Sequence, residues 1–448
     1  MKKITTIIVI TFLFFQTLNA QETGCVSGDC DNGTGTYVFK SGNKYVGSFS
    51  DGMFNGKGVY TKVDGSKYEG EYKNDLMNGT GTYYYSDGSK YDGDFKNGNM
   101  HGKGTYFFVS GAKYVGEFVD DNYNGEGTFY YSNGDKYKGE WRNGYREGNG
   151  KMSYKSGESY EGAWHEGMKH GFGKYKYSNN SDYEGDYRFD LKNGKGTINS
   201  KTYSYTGDWI DGNRHGKGTL IYKSGSKYVG DFENNFFHGK GTFTGHDGDV
   251  YIGDFELDKY SGIGEFRSSQ GSVYKGEFKN DLFNGTGDYV DANGNRYVGE
   301  WKNGNKEGKG KYTGYNNSVY EGDFVNDKRH GKGVLITNGG DKYEGDFKQG
   351  LFNGTGKITF KDGSSYEGGF KDNLFSGQGT YTFSEGSKYN GEWKKGSQHG
   401  IGVFVSSDGW RYEGSWKDGK KHGQGKFRDP KGKEKKGVWR EDELYHET

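Results

Sequence analysis

Tyrosine recurs along this chain every 23 residues, and the spacing holds over most of its 448 residues. One interval, between Tyr183 and Tyr205, is 22 residues instead. The 17 members of the series are Tyr45, Tyr68, Tyr91, Tyr114, Tyr137, Tyr160, Tyr183, Tyr205, Tyr228, Tyr251, Tyr274, Tyr297, Tyr320, Tyr343, Tyr366, Tyr389 and Tyr412. A fixed period of this length is the signature of a tandem repeat, in which each unit stacks on its neighbours and no large central core is needed.

One copy of the repeat contains two short segments that alternate in polarity. Residues 44–49 (Lys-Tyr-Val-Gly-Ser-Phe) and 56–61 (Gly-Lys-Gly-Val-Tyr-Thr) follow the period of two that is typical of a strand with two different faces. Residues 51–55 and 63–66 have turn-like composition, and the Asp-Gly pair at 64–65 is a strong hairpin signal. The predicted fold is all-β: an elongated, single-layer antiparallel sheet of tandem β-hairpins, in which neighbouring repeats pair edge to edge.

A second regularity is the pattern of glycines and aromatic residues inside each repeat. With the repeated tyrosine as position 0, glycine occupies positions +2, +11 and +13 in all 17 copies, position +4 is always aromatic, and position +15 is always large and apolar or aromatic. Alternate residues of a strand share a face, so this pattern predicts one face on which rings lie flat over bare glycines. Glycine also fills position +20 in all but three copies, and Asn180 and Asn317 replace it in two, which indicates a positive φ.

The opposite face is polar, and its charges are ordered by sign. Position +3 is acidic in 13 of the 17 copies, and position +5 is Lys or Arg in ten. Opposite charges on neighbouring strands stabilise a sheet by about 0.2–1 kcal/mol per pair. Calcium binding by the acidic row is the alternative, but it requires oxygens that converge within about 2.3–2.6 Å of one ion, and lysines already neutralise this row. We therefore predict no metal site and no bound cofactor.

Histidine is the residue type most suggestive of catalysis, and seven of the ten histidines occupy position +10. They are His101, His170, His215, His238, His330, His399 and His422. Asn, Ser or Glu fills the same position in the other copies, which is typical of a turn or cap position. The many Gly-x-Gly pairs lack the strand–turn–helix context of a dinucleotide site. We therefore predict no catalytic residue and a non-enzymatic chain.

The aromatic rows are the best candidate surface for a ligand or partner. If the sheet curves, the rings at positions 0 and +4 would line a long trough, and tryptophan is the largest ring found at position +4. The candidate contact residues are Trp141, Trp164, Trp209, Trp301, Trp393 and Trp416. The alternative is that these rings only pack on the glycines beneath them.

The N-terminal segment has the pattern of a secretory signal peptide. Lys2 and Lys3 precede an apolar run at residues 7–15, and Ala20 stands just before Gln21 at a plausible cleavage point. A membrane anchor is the alternative, but the run is well short of the ~20 residues that span a bilayer. We therefore assign residues 1–20 to a signal peptide and expect an exported protein that is periplasmic, envelope-associated or secreted.

The chain has only two cysteines, Cys25 and Cys30, which directly follow the predicted cleavage point. In an exported protein they could close a small disulfide loop. Lipidation of Cys25 and two free thiols are the alternatives. We treat residues 21–30 as a separate cysteine-containing segment and residues 31–448 as a continuous array of about 17 repeats with partial repeats at both ends.

Charge also limits the partners that this chain could bind. The chain has 61 basic and 61 acidic residues, so its formal net charge is zero. A nucleic-acid-binding protein normally has a basic excess on one face, and adhesion to anionic lipid needs clustered Lys and Arg. We therefore predict protein partners first, with a glycan or a membrane surface as alternatives, and no nucleic acid.

The repeat resembles the MORN repeat (membrane occupation and recognition nexus). The resemblance is carried by Tyr-x-Gly-x-aromatic followed by Gly-x-Gly, as in residues 228–232 (Tyr-Val-Gly-Asp-Phe) and 238–241 (His-Gly-Lys-Gly), and it extends from Asp31 to about Thr448. It implies a rod- or trough-shaped sheet of hairpins that acts as a scaffold, a dimerisation module or a membrane-apposed tether. We interpret the chain as an exported bacterial member of this family.

Two irregularities complete the sequence pattern. The copy at Tyr183 is one residue short near residues 201–203, which predicts a local irregularity such as a bend. Pro430, the only proline, falls in the predicted turn before the final strand, and Lys435 stands where the next tyrosine is expected. Because unpaired strand edges invite pairing, a homodimer through the array ends is also predicted. The expected function is a non-enzymatic scaffold for protein–protein or envelope-associated interactions; the alternative is binding of glycan, cell wall or lipid headgroups along the aromatic trough.

Overall fold

The computed structural model describes residues 22–448, and the predicted signal peptide therefore lies outside the described residues. Within residues 22–448 the chain forms strands and turns and no helix. No helix among these residues is therefore long and apolar enough to cross a membrane. The chain divides into two units: unit 1 runs to Lys201 and includes residues 210–212, and unit 2 comprises residues 202–209 and 213–448.

Unit 1 is an antiparallel sheet in which each strand from the first to the sixteenth pairs with the next along the chain. Its strands are β1 (Gly24–Gly28), β2 (Thr34–Val38), β3 (Lys44–Ser50), β4 (Met53–Thr61), β5 (Lys67–Lys73), β6 (Leu76–Tyr84), β7 (Lys90–Lys96), β8 (Asn99–Phe107), β9 (Lys113–Val119), β10 (Asn122–Tyr130), β11 (Lys136–Arg142), β12 (Tyr145–Ser153), β13 (Ser159–His165), β14 (Met168–Lys176), β15 (Asp182–Arg188) and β16 (Leu191–Asn199).

Unit 2 is built in the same way, with antiparallel pairing of consecutive strands from its second strand onward. Its strands are β17 (Tyr203–Ile210), β18 (Asn213–Tyr222), β19 (Lys227–Glu233), β20 (Phe236–Thr244), β21 (Val250–Glu256), β22 (Lys259–Arg267), β23 (Val273–Lys279), β24 (Leu282–Val290), β25 (Arg296–Lys302), β26 (Asn305–Thr313), β27 (Val319–Val325), β28 (Lys328–Ile336), β29 (Lys342–Lys348), β30 (Leu351–Thr359), β31 (Ser365–Lys371), β32 (Leu374–Thr382), β33 (Lys388–Lys394), β34 (Ser397–Val405), β35 (Arg411–Lys417), β36 (Lys420–Arg428), β37 (Glu434–Arg440) and β38 (Glu443–Glu447). The predicted all-β sheet of tandem hairpins is confirmed.

The first turn of each repeat is tighter than the sequence predicted. Residues 51–55 were expected to form a turn, but only Asp51 and Gly52 do so, and β4 already begins at Met53. Both turn residues have positive φ, 54° and 71°, which is the conformation of a two-residue type I′ hairpin. Such a turn twists with the strands and lets the second strand start at once, so that strand is nine residues long.

Each hairpin contains a β-bulge whose position is set by the glycine at +11. In the first complete hairpin Gly47 pairs with Gly58 and Phe49 pairs with Phe54, so the register shifts between the two pairs. Gly56, at position +11, has a φ of 86° and takes up the extra residue. The invariant glycine at +11 therefore has a backbone role that differs from the role of the glycines at +2 and +13.

The core is a single layer of tyrosine rings on one face of the sheet. Every tyrosine of the 23-residue series is at most 1% exposed, and the aromatic residues at +4 are buried beside them. The Tyr45 ring covers Gly47 and Gly58, and its hydroxyl donates a hydrogen bond to the Ser48 carbonyl over 3.0 Å. The predicted stacking of rings on the glycines at +2 and +13 is confirmed.

A further residue completes this layer, and its role was missed in the sequence. The side chain at position +9 stacks on the tyrosine of its own repeat, as Phe237 does on Tyr228 with ring centroids 3.8 Å apart and planes tilted by 10°. Where +9 is a cation, it lies near the tyrosine of its own repeat and the +4 ring of the next: the Arg146 guanidinium is 5.7 Å from the Tyr137 centroid and 4.2 Å from the Trp164 centroid. The tyrosine layer is thus covered from outside, which explains its near-complete burial.

The turns at position +20 also follow the sequence prediction. Asn180 and Asn317 have φ values of 65° and 66°, and the glycines at +20 in other copies are likewise positive. Pro430 lies in the turn between β36 and β37, as expected. The short interval after Tyr183 coincides with the boundary between the two units at Lys201 and Thr202.

Candidate binding surfaces

The six tryptophans that the sequence singled out all lie in the buried aromatic layer. Trp141, Trp301 and Trp393 are each 6% exposed. The others, Trp164, Trp209 and Trp416, are 3%, 4% and 8% exposed. The indole Nε1 of Trp393 donates to the Gly379 carbonyl over 3.1 Å, a bond that ties one repeat to the one before it. Contact with a partner through these residues stays a prediction, and little of each ring is exposed.

Half-exposed rings form a different row in unit 1, at positions +15 and +17. Consecutive centroids in this row are between 4.4 and 5.6 Å apart. The row, here called the aromatic ladder, consists of Tyr83, Tyr85, Tyr106, Phe108, Phe129 and Tyr131. The ladder has a sequence signal: positions +15, +16 and +17 are all aromatic in three successive repeats, at residues 83–85, 106–108 and 129–131.

The opposite face of unit 2 carries grooves whose floor is glycine backbone. Gly299 pairs with Gly310, and the pairing continues strand by strand through Gly322 and Gly333 to Gly368. A strand directs alternate side chains to opposite faces, so positions +1 and +14 form one wall and positions +3 and +12 the other. The result is a channel that crosses the strands between two rows of side chains.

Two grooves of this kind differ in the chemistry of their walls. Groove 1, of about 920 Å³ between Lys217 and Gly276, is walled by the exposed side chains of Val229, Ile252 and Ile263 and by Thr219 and Thr242. Its lining also includes the charged residues Lys217, Lys240, Glu265 and Lys275. Groove 2, of about 1230 Å³ between Val298 and Gly368, is walled mainly by alternating Lys and Glu. Groove 1 therefore combines apolar, hydroxyl-bearing and charged side chains, whereas groove 2 is mainly charged.

The acidic row at position +3 has a structural role at the bulge. In unit 2 the Asp254 carboxylate accepts a hydrogen bond from the Ile263 backbone N–H over 2.9 Å, a donor that the bulge leaves without a strand partner. The Lys240 ammonium lies 2.5 Å from the other carboxylate oxygen, across the strand pair. The basic partner of this carboxylate is at position +12 and not at +5, where the sequence placed the basic row, and the carboxylate also completes the backbone hydrogen bonding.

Histidines at position +10 lie within strands and not in turns, in contrast to the sequence prediction. His238 is inside β20, where it pairs with Asp231 just before the positive-φ Gly239. The bulge adjoins this position, where Asn, Ser or Glu replaces histidine in the other copies. Within residues 22–448 no group of three or more His, Cys, Asp or Glu side chains is arranged to hold a metal ion.

Several cations at position +9 are unusually buried for their charge. Burial lowers the pKa of Lys169, whose ammonium is 5.0 Å from the Tyr175 centroid. Burial likewise lowers the pKa of the Arg329 guanidinium, which donates to the Gly350 carbonyl over 3.0 Å. Contacts with ring faces and carbonyl oxygens stabilise these charges in place of water.

The cysteine-containing segment forms the first strand of unit 1. Cys25, in β1, is joined to Cys30 by a disulfide with an S–S distance of 2.17 Å and a Cα–Cα distance of 5.9 Å. Gly35 lies directly beneath the Cys30 sulfur, so the small residue there gives the bridge room. The bridge links the start of β1 to the turn that leads into β2.

The fold and these surfaces define a tandem β-hairpin repeat protein with a scaffold-like architecture. The chain belongs to the MORN repeat family. Its family model matches 17 segments, at residues 45–67, 68–90, 91–113, 114–136, 137–159, 160–182, 183–201, 205–227, 228–250, 251–273, 274–296, 297–319, 320–342, 343–365, 366–388, 389–411 and 412–434. No curated protein matches the chain.

Solved structures give only low similarity scores. The TCP10 domain of Danio rerio CPAP in complex with a STIL peptide is 12% identical with a TM-score of 0.26, over 49% of this chain and 92% of that chain. The TCP10c domain of Drosophila melanogaster Sas-4 is 12% identical with a TM-score of 0.22, over 35% and 93%. A catalytically inactive virginiamycin B lyase from Staphylococcus aureus is 15% identical with a TM-score of 0.12, over 69% and 93%. Similarity at this level carries no argument about function.

Proposed function

We propose that this protein is a non-enzymatic scaffold that binds extended polypeptide segments in the grooves of unit 2. The observation that carries the proposal is the unbroken row of paired glycines from Gly218 to Gly368, because it forms the open floor of both grooves between two walls of side chains. An extended chain fits such a channel, and its side chains can reach both walls. Repetition of the channel adds weak contacts into one stronger interaction.

The two grooves favour a protein partner because their walls combine apolar and ionic groups. Val229 and Ile252 in groove 1 are 42% and 47% exposed, so their apolar side chains are accessible to a partner. In groove 2 the Lys332 ammonium pairs with Asp346 at 2.6 Å, and Lys311 lies 3.8 Å from Glu321. A polypeptide can satisfy both kinds of wall, since it offers apolar side chains and charged groups within one segment.

The non-enzymatic part of the proposal is supported by the structural use of the titratable residues. The Glu277 carboxylate accepts hydrogen bonds from the backbone N–H and the hydroxyl of Thr286, and these bonds lower its pKa. The Asp346 carboxylate accepts from the Thr355 N–H over 2.8 Å in the equivalent place. Side chains committed to the same backbone contact in repeat after repeat are poor candidates for acid–base catalysis.

Capture from a cell-envelope extract tests this proposal. Immobilised protein should retain polypeptides from the extract, and protease treatment of the extract should abolish this retention. A variant with a blocked groove 1 should no longer retain these polypeptides. Retention of polysaccharide alone, unaffected by protease, would contradict the proposal and favour the second candidate.

The second candidate function is glycan binding, and it is favoured by the aromatic ladder of unit 1. Flat, half-exposed rings such as Tyr85 and Phe108 present the kind of apolar face on which sugar rings can pack. A Tyr85→Ser, Phe108→Ser double variant should lose retention on insoluble cell-wall polysaccharide if this function is correct. Equal retention of the variant and the parent protein would argue against it.

We also propose that the protein is bacterial and exported, to the periplasm, the envelope surface or the medium. The pattern of residues 1–20 supports export, and disulfides such as Cys25–Cys30 persist in oxidising compartments. The intact mass of the protein recovered from cells should lack residues 1–20 and should be two hydrogens below the reduced mass. A full-length mass, or a diacylglycerol adduct on Cys25, would contradict this assignment.

A further inference from the structure

Positive charge is concentrated at one place in a chain whose formal net charge is zero. Between Arg411 and Arg440 there are eleven Lys and Arg residues against four Asp and Glu residues. This stretch comprises β35, β36 and β37 and the two turns between them. The excess is therefore a property of three neighbouring strands of unit 2.

A comparison of equivalent cross-strand pairs locates the excess on the groove-bearing face. In four repeats a lysine at +14 lies directly opposite a glutamate at +1 of the next repeat. These pairs are Lys151–Glu161 at 2.8 Å, Lys174–Glu184 at 3.0 Å, Lys311–Glu321 at 3.8 Å and Lys357–Glu367 at 3.3 Å. At the equivalent place between β36 and β37, Lys426 lies opposite Lys436. Like charges directly opposite each other destabilise a strand pair.

Other like-charged pairs lie nearby on the same face. Arg411 is opposite Arg428, and Lys417 is opposite Lys420. The four acidic side chains of this stretch are Glu413, Asp418, Asp429 and Glu434. Of these, Glu413 pairs with Arg411 at 3.0 Å and Glu434 pairs with Lys426, while Lys420 pairs with Glu441 at 2.7 Å. Among the described ion pairs, none involves Arg428 or Lys436, and both side chains are exposed.

Glu434 indicates the ligand chemistry that this surface stabilises. Its hydrogen bond with Lys426 lowers the pKa of its carboxyl group, and the charges of Lys436 and Arg428 lower it further. A carboxylate is thus favoured among these three cations. Glu434 is a single carboxylate beside three cationic side chains, so further carboxylates from a partner can pair with the cations that remain.

We propose that Arg411, Lys426, Arg428 and Lys436 form a docking surface for an acidic, extended polypeptide segment of a partner. Lys426 and Arg428 are two residues apart on one strand, about 6.8 Å along it, which is also the spacing of alternate side chains in an extended peptide. Arginine and lysine bind carboxylates through charge-assisted hydrogen bonds. The neighbouring side chains on this face are Ser415, Gln424 and Val438, which lack the rings that stack with nucleic-acid bases. This docking surface is separate from grooves 1 and 2, so the proposal does not depend on peptide binding in either groove.

Fluorescence anisotropy with a labelled peptide of alternating Glu and Ser tests this surface. The peptide should bind the full chain at low salt, and about 0.3 M salt should weaken binding at least about tenfold, because exposed charges are screened. Lys436→Glu should weaken binding about tenfold. The same change rebuilds the Lys–Glu pair found in the four other repeats, so the variant should melt no lower than the parent protein.

Lys138→Glu is the matched control, because Lys138 occupies the same repeat position as Lys436, lies opposite Lys151 outside both grooves, and the substitution changes the net charge by the same amount. It should leave peptide affinity within about twofold of the parent value. Arg428→Gln provides a second variant and should also weaken binding. Equal loss with Lys138→Glu and Lys436→Glu would overturn the proposal, since it would mean that net charge alone attracts the peptide. Tighter binding of single-stranded DNA or of anionic vesicles, with the same dependence on Lys436, would overturn the assignment to a polypeptide.

Discussion

The ring of Tyr228 lies directly against the backbone of Gly241, which pairs with Gly230 two residues further along the Tyr228 strand. A β-carbon on Gly241 would come within 2.5 Å of the Tyr228 ring atom Cε2, and the ring itself is 0% exposed. The Tyr228 hydroxyl donates to the Asp231 carbonyl over 2.8 Å, which holds the ring in this place. The same relationship recurs between each repeated tyrosine and the glycine at +13, so it is the central packing contact of the array.

Gly241→Ala should therefore destabilise its hairpin by about 1–3 kcal/mol, because the methyl group cannot fit beneath a fixed, buried ring. Native-state hydrogen exchange at the amides of β19 and β20 measures the free energy of local opening. Gly339→Ala is the control, since a β-carbon there meets only Thr337 Oγ1 at 3.5 Å. An equal effect of the two substitutions would contradict the packing account.

Asp323 should contribute stability that depends on its charge. Burial raises the pKa of Asp323, but the ion pair with Lys309 and the hydrogen bond from the Lys332 N–H more than offset this, so the pKa lies below its ordinary value. A depressed carboxyl pKa stabilises the folded state above the unfolded pKa of about 3.9, and this stabilisation is lost as the pH falls.

Asp323→Ala should cost about 1–2 kcal/mol at neutral pH, since it leaves the Lys332 N–H without its acceptor. Asp323→Asn should cost less, because an amide oxygen can still accept that bond. The difference in stability between the parent protein and Asp323→Asn should shrink as the pH falls from about 5 to below 3. A difference that is constant over this range would show that the charge of Asp323 has no role.

The tyrosine layer predicts alkaline unfolding. Burial raises the pKa of Tyr45, Tyr320, Tyr366 and Tyr412 to about 12. A group whose pKa is raised on folding stabilises the folded state fully below its unfolded pKa of about 10, and that stabilisation disappears as the pH rises towards the folded pKa. We expect stable sheet structure to about pH 10 and cooperative unfolding above it, measured together by circular dichroism and tyrosinate absorbance. Gradual ionisation of all tyrosines from pH 10 with the sheet intact would contradict the burial.

Leu257 occupies the first turn position of its hairpin with a φ of 50°, although it is a bulky residue that is 60% exposed. Asn280 holds the equivalent position with the same φ of 50°. Asparagine tolerates this backbone region better than leucine. Leu257→Asn should therefore raise local stability by about 1 kcal/mol, and Asn280→Leu should lower it by a similar amount. Denaturation of both variants tests this, and changes of the same sign would refute the argument.

Much of this fold follows from the periodicity alone. Period-two alternation identified the strands, and the invariant glycines at +2 and +13 identified the face on which rings pack. Asn180 and Asn317 revealed a positive φ because only a few residue types tolerate one. These features are local, since each depends on residues within one repeat, and a repeat of 23 residues displays them many times.

The parts that sequence analysis did not predict depend on contacts between repeats. The sequence placed Trp141 and Trp393 on the aromatic face, but the side chains at +9, +15 and +17 surround that face and determine how much of each ring is exposed. The role of position +9 was missed because Phe, Tyr, Met, Gln, Lys and Arg all occur there, although aromatic and cationic members alike contact the tyrosine of their own repeat. The sequence predicted only ion pairs for the carboxylates at +3. Their hydrogen bonds from backbone N–H groups were missed, because the bulge that leaves these donors without a strand partner cannot be recognised from residue types alone.

Substitution of Thr242 by Arg tests the central claim most directly. Thr242 lies between Val229 and Ile252 on the wall of groove 1, and a long side chain there would fill the channel. Thr105 holds the same repeat position in unit 1, between Asp92 and Val115, so Thr105→Arg is a matched control. Quantitative mass spectrometry of polypeptides captured from an envelope extract compares the two. We predict that Thr242→Arg loses proteins that both Thr105→Arg and the parent protein retain; identical captured sets for all three proteins would contradict binding in the groove.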